Sequence, residues 1–181
     1  MLSLTLAEGV EMRPLEPWQA AEFYAHVEEV RDSIRAYIPF AARLFDEDAA
    51  RAYLQGFADS QAADGPRIYG IWVDGVFSGG TLFRIFDTGQ HVCELGVWLG
   101  PWARGRGIIT RAATAMIDWA VRERGMLRVE WGCEPSNEAS IAAAKRIGFT
   151  YEATIRQGFN FDGRQRDYQL WSILADEWLN R

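Results

Sequence analysis

The stretch Glu94–Thr110, E-L-G-V-W-L-G-P-W-A-R-G-R-G-I-I-T, limits the possible folds of this chain more than any other. It begins as an apolar run and passes into a loop with Gly105, Gly107, Arg104 and Arg106 and no acidic residue. Ile109, Ala112, Ala113, Met116, Ile117 and Ala120 then recur at i, i+3, i+4 and i+7, the spacing of an amphipathic helix, which Gly125 ends. A strand entering a helix through so short a loop leaves unpaired N–H groups at the positive end of the helix dipole. Such a junction binds anions, phosphate above all, and its glycines let the backbone come close. Arg104 and Arg106 add charge-assisted contacts.

The segments around the junction read in order. Leu2 to Arg13 is extended and alternating, so an edge strand is expected there, running to Pro14. Pro17 suits the first turn of a helix carrying Ala20, Phe23, Tyr24, Val27 and Val30, and a second short helical piece is expected from Ser33 to Tyr37, closed by Pro39. Asp46 caps a further helix that Asp64-Gly65-Pro66 breaks. Ile68 to Val73, Val76 to Phe86 and His91 to Leu99, separated by Asp74-Gly75 and Asp87-Thr88-Gly89, form an antiparallel meander. Leu127 to Cys133 is the next strand, parallel to the one before the loop if the unit is a right-handed βαβ crossover. Pro135-Ser136-Asn137 opens a helix that Gly148 stops, and Thr150 to Phe161 and Gln165 to Leu174 close the chain as a hairpin through Asp162-Gly163. The fold class is α+β with a central mixed, mostly antiparallel sheet flanked by helices, in one domain over residues 1–181.

Composition removes several function classes. At 181 residues with 49% hydrophobic content the chain fills one sizeable core, and no apolar run reaches membrane-spanning length. No leader is expected in residues 1–9, so a cytoplasmic protein without membrane partners is expected. Cys93 and Cys133 read as buried thiols, and together with His26 and His91 they lack zinc spacing, so no metal is expected. A net charge of −6 argues against nucleic-acid binding and is compatible with cationic acceptors such as amines. His26 and His91 are expected to be partly exposed structural residues, and Glu28, Glu29 and Asp32 a solvated acidic helix end. Oligomeric state stays open, a homodimer being the commonest arrangement.

Two nucleotide readings of the loop remain. A dinucleotide fingerprint needs a third glycine where Thr110 stands, although Glu130 falls where a ribose-binding acid would, and a phosphate-cradling Walker loop fails at Ile108-Ile109. Arg104-Gly105-Arg106-Gly107-Ile108-Ile109 resembles instead the R/Q-x-x-G-x-G/A signature of the GNAT superfamily of acyl-CoA-dependent N-acyltransferases, departing from it at Ile109. Glu94-Leu95-Gly96-Val97-Trp98, Glu134 to Ser140 and Lys145-Arg146-Ile147-Gly148-Phe149 extend the likeness over residues 67–181, and it is nearest to the branch that acetylates ribosomal-protein N-termini.

The resemblance implies a GNAT fold and transfer of an acetyl or other short acyl group from acyl-CoA to a primary amine of a protein N-terminus or small molecule, by direct attack in a ternary complex. Arg104, Gly105, Arg106, Gly107, Ile108, Ile109 and Thr110 would hold the CoA pyrophosphate, and Val97, Trp98 and Leu99 would pair with pantetheine. Gly96 would form a bulge parting the strands. Asn137 and Ser140 would face the pantetheine and the CoA sulfur, helix capping being the plainer reading of both, and Lys145 would reach the nucleotide phosphates. Glu94 is the implied base, acting directly or through water, a backbone N–H near Val97 the oxyanion donor, and Ser140 the acid for the thiolate. Phe159 stands where that branch carries a glutamate, which leaves Tyr151 and Tyr168 as alternative proton donors, and Trp102 is placed to touch the cofactor. The alternatives are a non-catalytic CoA-binding sensor or recruiting domain and a nicotinamide-dependent oxidoreductase.

Overall fold

The computed structural model describes residues 3–181; Leu2, assigned above to the first strand, lies outside them, as does Met1. The chain begins with β1 (Leu4–Ala7) and β2 (Val10–Pro14), then a 3₁₀ turn at Pro17–Gln19, α1 (Ala20–Ile34), a 3₁₀ turn at Pro39–Ala42 and α2 (Glu47–Ala62). There follow β3 (Arg67–Val73), β4 (Val76–Asp87) and β5 (Val92–Leu99), then α3 (Ile108–Arg122), β6 (Arg128–Cys133), α4 (Glu138–Ile147), β7 (Thr150–Phe161), β8 (Arg164–Leu174) and α5 (Ala175–Leu179). One eight-stranded sheet runs in the order β1-β2-β3-β4-β5-β6-β8-β7. Every neighbouring pair is antiparallel except β5 and β6, which are parallel and joined by α3. Among the described residues no helix is long and apolar enough to cross a membrane.

Strand alternation divides the interior into two cores. Tyr69, Ile71, Phe83, Leu95 and Leu99 point to one face and pack with Ile108, Ala112, Ala113, Met116 and Ile117 of α3 and with Ala144 and Ile147 of α4. Ile68, Trp72, Phe77, Leu82 and Trp98 point to the other and pack with Phe23, Val27 and Val30 of α1 and Leu54 of α2. All seven residues of β3 are buried, which is why that strand reads as an unbroken apolar run. Asp46 caps α2 as its sequence position implies, its carboxylate accepting from the Ala49 N–H at 2.7 Å. The helices of the second core cover only the β3–β5 side of that face.

Three expectations need correction. The opening is a hairpin and not one strand, because Gly9 at φ +67° turns the chain so that Leu4 pairs with Met12. No separate helix spans Ser33 to Tyr37. Ile34 lies four residues after Val30 on the same buried stripe, so α1 runs on through it, and Pro39 opens the next turn instead of closing a helix. The bulge next to the site is in β4: Phe83 pairs with Leu95 and Ile85 with Glu94, leaving Arg84 as the extra residue, while Gly96 pairs regularly with Leu82.

Candidate functional site

The site lies where β5 and β6 separate. They pair only through Val92–Arg128, Cys93–Val129 and Glu94–Glu130, after which β5 continues to Leu99 and β6 to Cys133 without a common ladder. The open edge can be assigned from alternation. The Gly100 N–H donates to the Ser78 carbonyl at 2.7 Å, so Trp98 and Gly96, two and four residues earlier, also turn their backbone groups toward β4. The backbone groups of Val97 and Leu99 therefore face the gap. Arg104 Nε donates to the Leu99 carbonyl at 3.1 Å and ties the glycine loop to this strand end.

Gly107 is the N-cap of α3 at φ +72°, and Gly105 has φ +76°. An added Cβ would meet nothing within 4 Å at either, so backbone conformation and not crowding demands glycine there. The helix opens without a side-chain cap or an acidic residue in its first turn, which leaves its N–H groups available. Loop, strand edge and helix start bound a cavity of about 1020 Å³. Val97, Trp98, Leu99, Arg104, Gly105, Gly107, Ile108, Ile109 and Thr110 all line it, as do Asn137 and Ser140.

Glu94, Gly96 and Trp98 project to the second face by the two-residue repeat, and at Gly96 the Leu82 side chain packs over the strand, 3.5 Å from where a Cβ would stand. The Glu94 side chain is 8% exposed and forms a two-point ion pair with Arg84, with Nε 3.0 Å from Oε1 and Nη2 on Oε2. The Tyr168 hydroxyl donates to the same Oε1 at 2.9 Å. Burial, then the negative charge of Glu94, holds the Tyr168 phenol well above the usual range. Burial works against the charge on Arg84, but the hydrogen bonds and charge of Glu94 outweigh it and raise its value. Phe159, in the position of the glutamate named above, lines the cavity with its ring centroid 5.7 Å from that of Tyr168.

The remaining candidates separate cleanly. Asn137 Oδ1 accepts from the Ser140 N–H at 3.1 Å, so it caps α4 while lining the cavity. Ser140 Oγ accepts from Trp131 Nε1 at 2.9 Å, and its own O–H has the Cys133 thiol as a neighbouring acceptor. Lys145 does not line the cavity: its ammonium stands 5.9 Å over the Trp171 ring, one helical position away from Arg146, which does line it and reaches Thr110 Oγ1 at 3.5 Å. Arg106 is exposed outside the cavity wall. Tyr151 bonds Thr154 Oγ1 and Trp102 bonds Ser78, both away from the cavity. His26 is buried, not partly exposed, with its ring edge-on to Phe77 and Trp102 and neither nitrogen hydrogen-bonded. Glu28 and Asp32 pair with Arg31 and Arg35 and keep to the surface of α1. Arg84 and Gly132 carry no local signal in the sequence, and Arg146 lies in a motif that does not by itself tell its side chain from that of Lys145. Only the β4 bulge, the β8 register and the phase of α4 bring them to the cavity.

A strap crosses the gap. Tyr37 donates to the Ser136 carbonyl at 3.2 Å, and Arg166 donates to the Ala36 carbonyl at 3.1 Å while forming an ion pair with Glu134. It links the α1–α2 connection to the β6–α4 loop over the same cavity that the glycine loop and Glu94 line.

Comparison with known proteins fits this geometry. A family described as an acetyltransferase (GNAT) domain matches residues 10–150. YdaF of Bacillus subtilis (strain 168), provisionally named a ribosomal N-acetyltransferase, is 28% identical over 179 residues, covering 98% of this chain and 98% of YdaF. The [ribosomal protein uS5]-alanine N-acetyltransferase of Escherichia coli (strain K12) is 30% identical over 88 residues, covering 49% of this chain and 45% of that enzyme. In fold, the chain superposes on RimL, a ribosomal L7/L12 alpha-N-protein acetyltransferase in complex with coenzyme A, with a TM-score of 0.90. That likeness has 19% identity and spans 97% of this chain and 99% of RimL.

Proposed function

We infer the reaction from one premise: the chain belongs to the GNAT acetyltransferase family. It is an N-acetyltransferase, with acetyl-CoA as acyl donor. Its acceptor is the α-amine of a protein N-terminus, a reading supported by the names of two relatives, a provisionally named ribosomal N-acetyltransferase and a ribosomal protein uS5-alanine N-acetyltransferase. The observation that carries the mechanism is the open edge of β5 at Val97 and Leu99, beside the uncapped start of α3 and next to Glu94.

The pantetheine arm takes the place of the missing rungs on β5, and its pyrophosphate sits on the N–H groups of residues 104–110 with Arg146 alongside. The amine enters on the Glu94 side of the cavity and attacks the thioester carbonyl, forming C–N as C–S breaks. The Val97 N–H meets the developing oxyanion. Glu94 already accepts three hydrogen bonds, so it takes the amine proton through a water on its cavity side. The Ser140 O–H gives its proton to the departing thiolate and regains one from solvent in the cavity.

Incubation with acetyl-CoA and peptides bearing free or blocked N-termini tests this reading. Thiol release matched by one acetyl group on the free α-amine is expected. Acetyl-CoA binding in calorimetry without thiol release from any free-amine peptide would overturn it.

A further inference from the structure

Tyr168 reaches Glu94 by an unusual route. It belongs to β8, and β6 lies between β8 and β5. Its ring crosses the face of β6 at Gly132, where an added Cβ would stand 1.6 Å from the hydroxyl oxygen, 2.0 Å from Cζ and 2.4 Å from Cε2. The phenol thus occupies the volume that any other residue's side chain would fill at position 132. It lies in the gap between the separated strands, where it donates to Glu94 Oε1 at 2.9 Å and meets Arg84 Nη2 at 3.4 Å.

We propose that Tyr168 is a positioning residue for the transfer reaction, fixing the Glu94 carboxylate from across β6, and that Gly132 is the opening through which it acts. The inference rests on Glu94 as proton acceptor. Arg84 alone leaves the carboxylate free to follow a guanidinium whose side chain is 59% exposed. A second donor from a different strand holds the carboxylate in one orientation, with its remaining lone-pair edge toward the cavity. The two donors hold the group from opposite sides of the gap. The other charges nearby are Glu130, paired with Glu94 in the ladder and engaged by Arg128, and Glu134, engaged by Arg166.

The test compares Tyr168→Phe, Gly132→Ala and Glu94→Gln, with a saturating alanine-initiated peptide amide as acceptor and acetyl-CoA varied. Tyr168→Phe removes one oxygen and keeps the ring. Its kcat is expected to fall about tenfold at an unchanged KM for acetyl-CoA, and the acidic limb of its pH–rate profile to move upward, because a donor that favours the carboxylate anion is gone. Gly132→Ala pushes the ring aside and is expected to move the limb the same way, with no further shift in the double variant. Independently of turnover, the tyrosine ¹³Cζ resonance that disappears in Tyr168→Phe should shift in Glu94→Gln. A wild-type limb in Tyr168→Phe, or a resonance unmoved by Glu94→Gln, overturns the proposal. If the limb is lost in Glu94→Gln but unmoved in Tyr168→Phe, only the positioning role falls. If it persists in Glu94→Gln, the proton-acceptor reading falls, and the positioning role with it.

Discussion

The two ends of the cavity are made of different material. The cofactor end is mostly backbone: two left-handed glycines, the uncapped start of α3 and the unpaired edge of β5. The end around Glu94 is mostly side chain: Arg84, Glu94 and Tyr168 from three strands, closed over by the α1–α2 connection. A backbone site needs particular conformations and tolerates most side chains, whereas a side-chain site needs particular residues and the register that brings them together. Damage at the first end should therefore appear in acetyl-CoA affinity, and damage at the second in turnover.

Glu94→Gln should give the largest effect, a fall in kcat of about 10²-fold or more with acetyl-CoA affinity retained. Turnover by stopped thiol release and affinity by calorimetry read the two separately, and unchanged rates at neutral pH would break the division. Gly107→Val forces a β-branched residue to φ +72° and disorganises the helix start. About 100-fold weaker acetyl-CoA binding is expected from about 3 kcal/mol of strain and lost contact, with circular dichroism unchanged. Arg146→Ala should weaken acetyl-CoA about tenfold and reduce the salt dependence of binding, whereas Lys145→Ala should change it less than about twofold. An equal loss from both would mean that the phase of α4 does not select the phosphate contact.

Outside the cavity, one buried group ties stability to pH. Burial holds the His26 imidazole down from 6.5 to about 4, so the unfolded chain takes up its proton first. The stability contributed by the neutral ring is complete above pH about 6.5, is lost as pH falls toward about 4, and changes no further below that. The loss is at most about 3 kcal/mol, and melting temperature against pH should flatten in this window for His26→Phe. Asp46→Ala removes the cap of α2 and should cost about 1 kcal/mol by denaturant unfolding, leaving acetyl-CoA affinity unchanged.

The same difference in material explains what the sequence revealed. The junction was legible because each of its requirements is local: glycine for positive φ, helical periodicity after the loop, Asp-Gly turns between the strands of the meander. Arg84 was not, because the bulge that turns it toward Glu94 depends on how two strands slip past each other. Tyr168 could be named only as one of two tyrosines on the closing hairpin. That it crosses Gly132 follows from β8 lying between β6 and β7, a strand order that no local pattern encodes. His26 was misplaced for a similar reason, since its position on α1 gives no sign that Phe77 and Trp102 will enclose it.

The short ladder between β5 and β6 also has a mechanical meaning. A continuous sheet is a stiff plate, and this one is joined along its middle by only three residue pairs. The β1–β5 part and the β6–β8 part meet at a seam, bridged by α3 at one side and by the Arg84–Glu94–Tyr168 and Ala36–Arg166–Glu134 cross-ties at the other. The seam and its cross-ties thus run along the cavity beside Glu94, so whatever shifts one part of the sheet against the other also changes the width of that cavity.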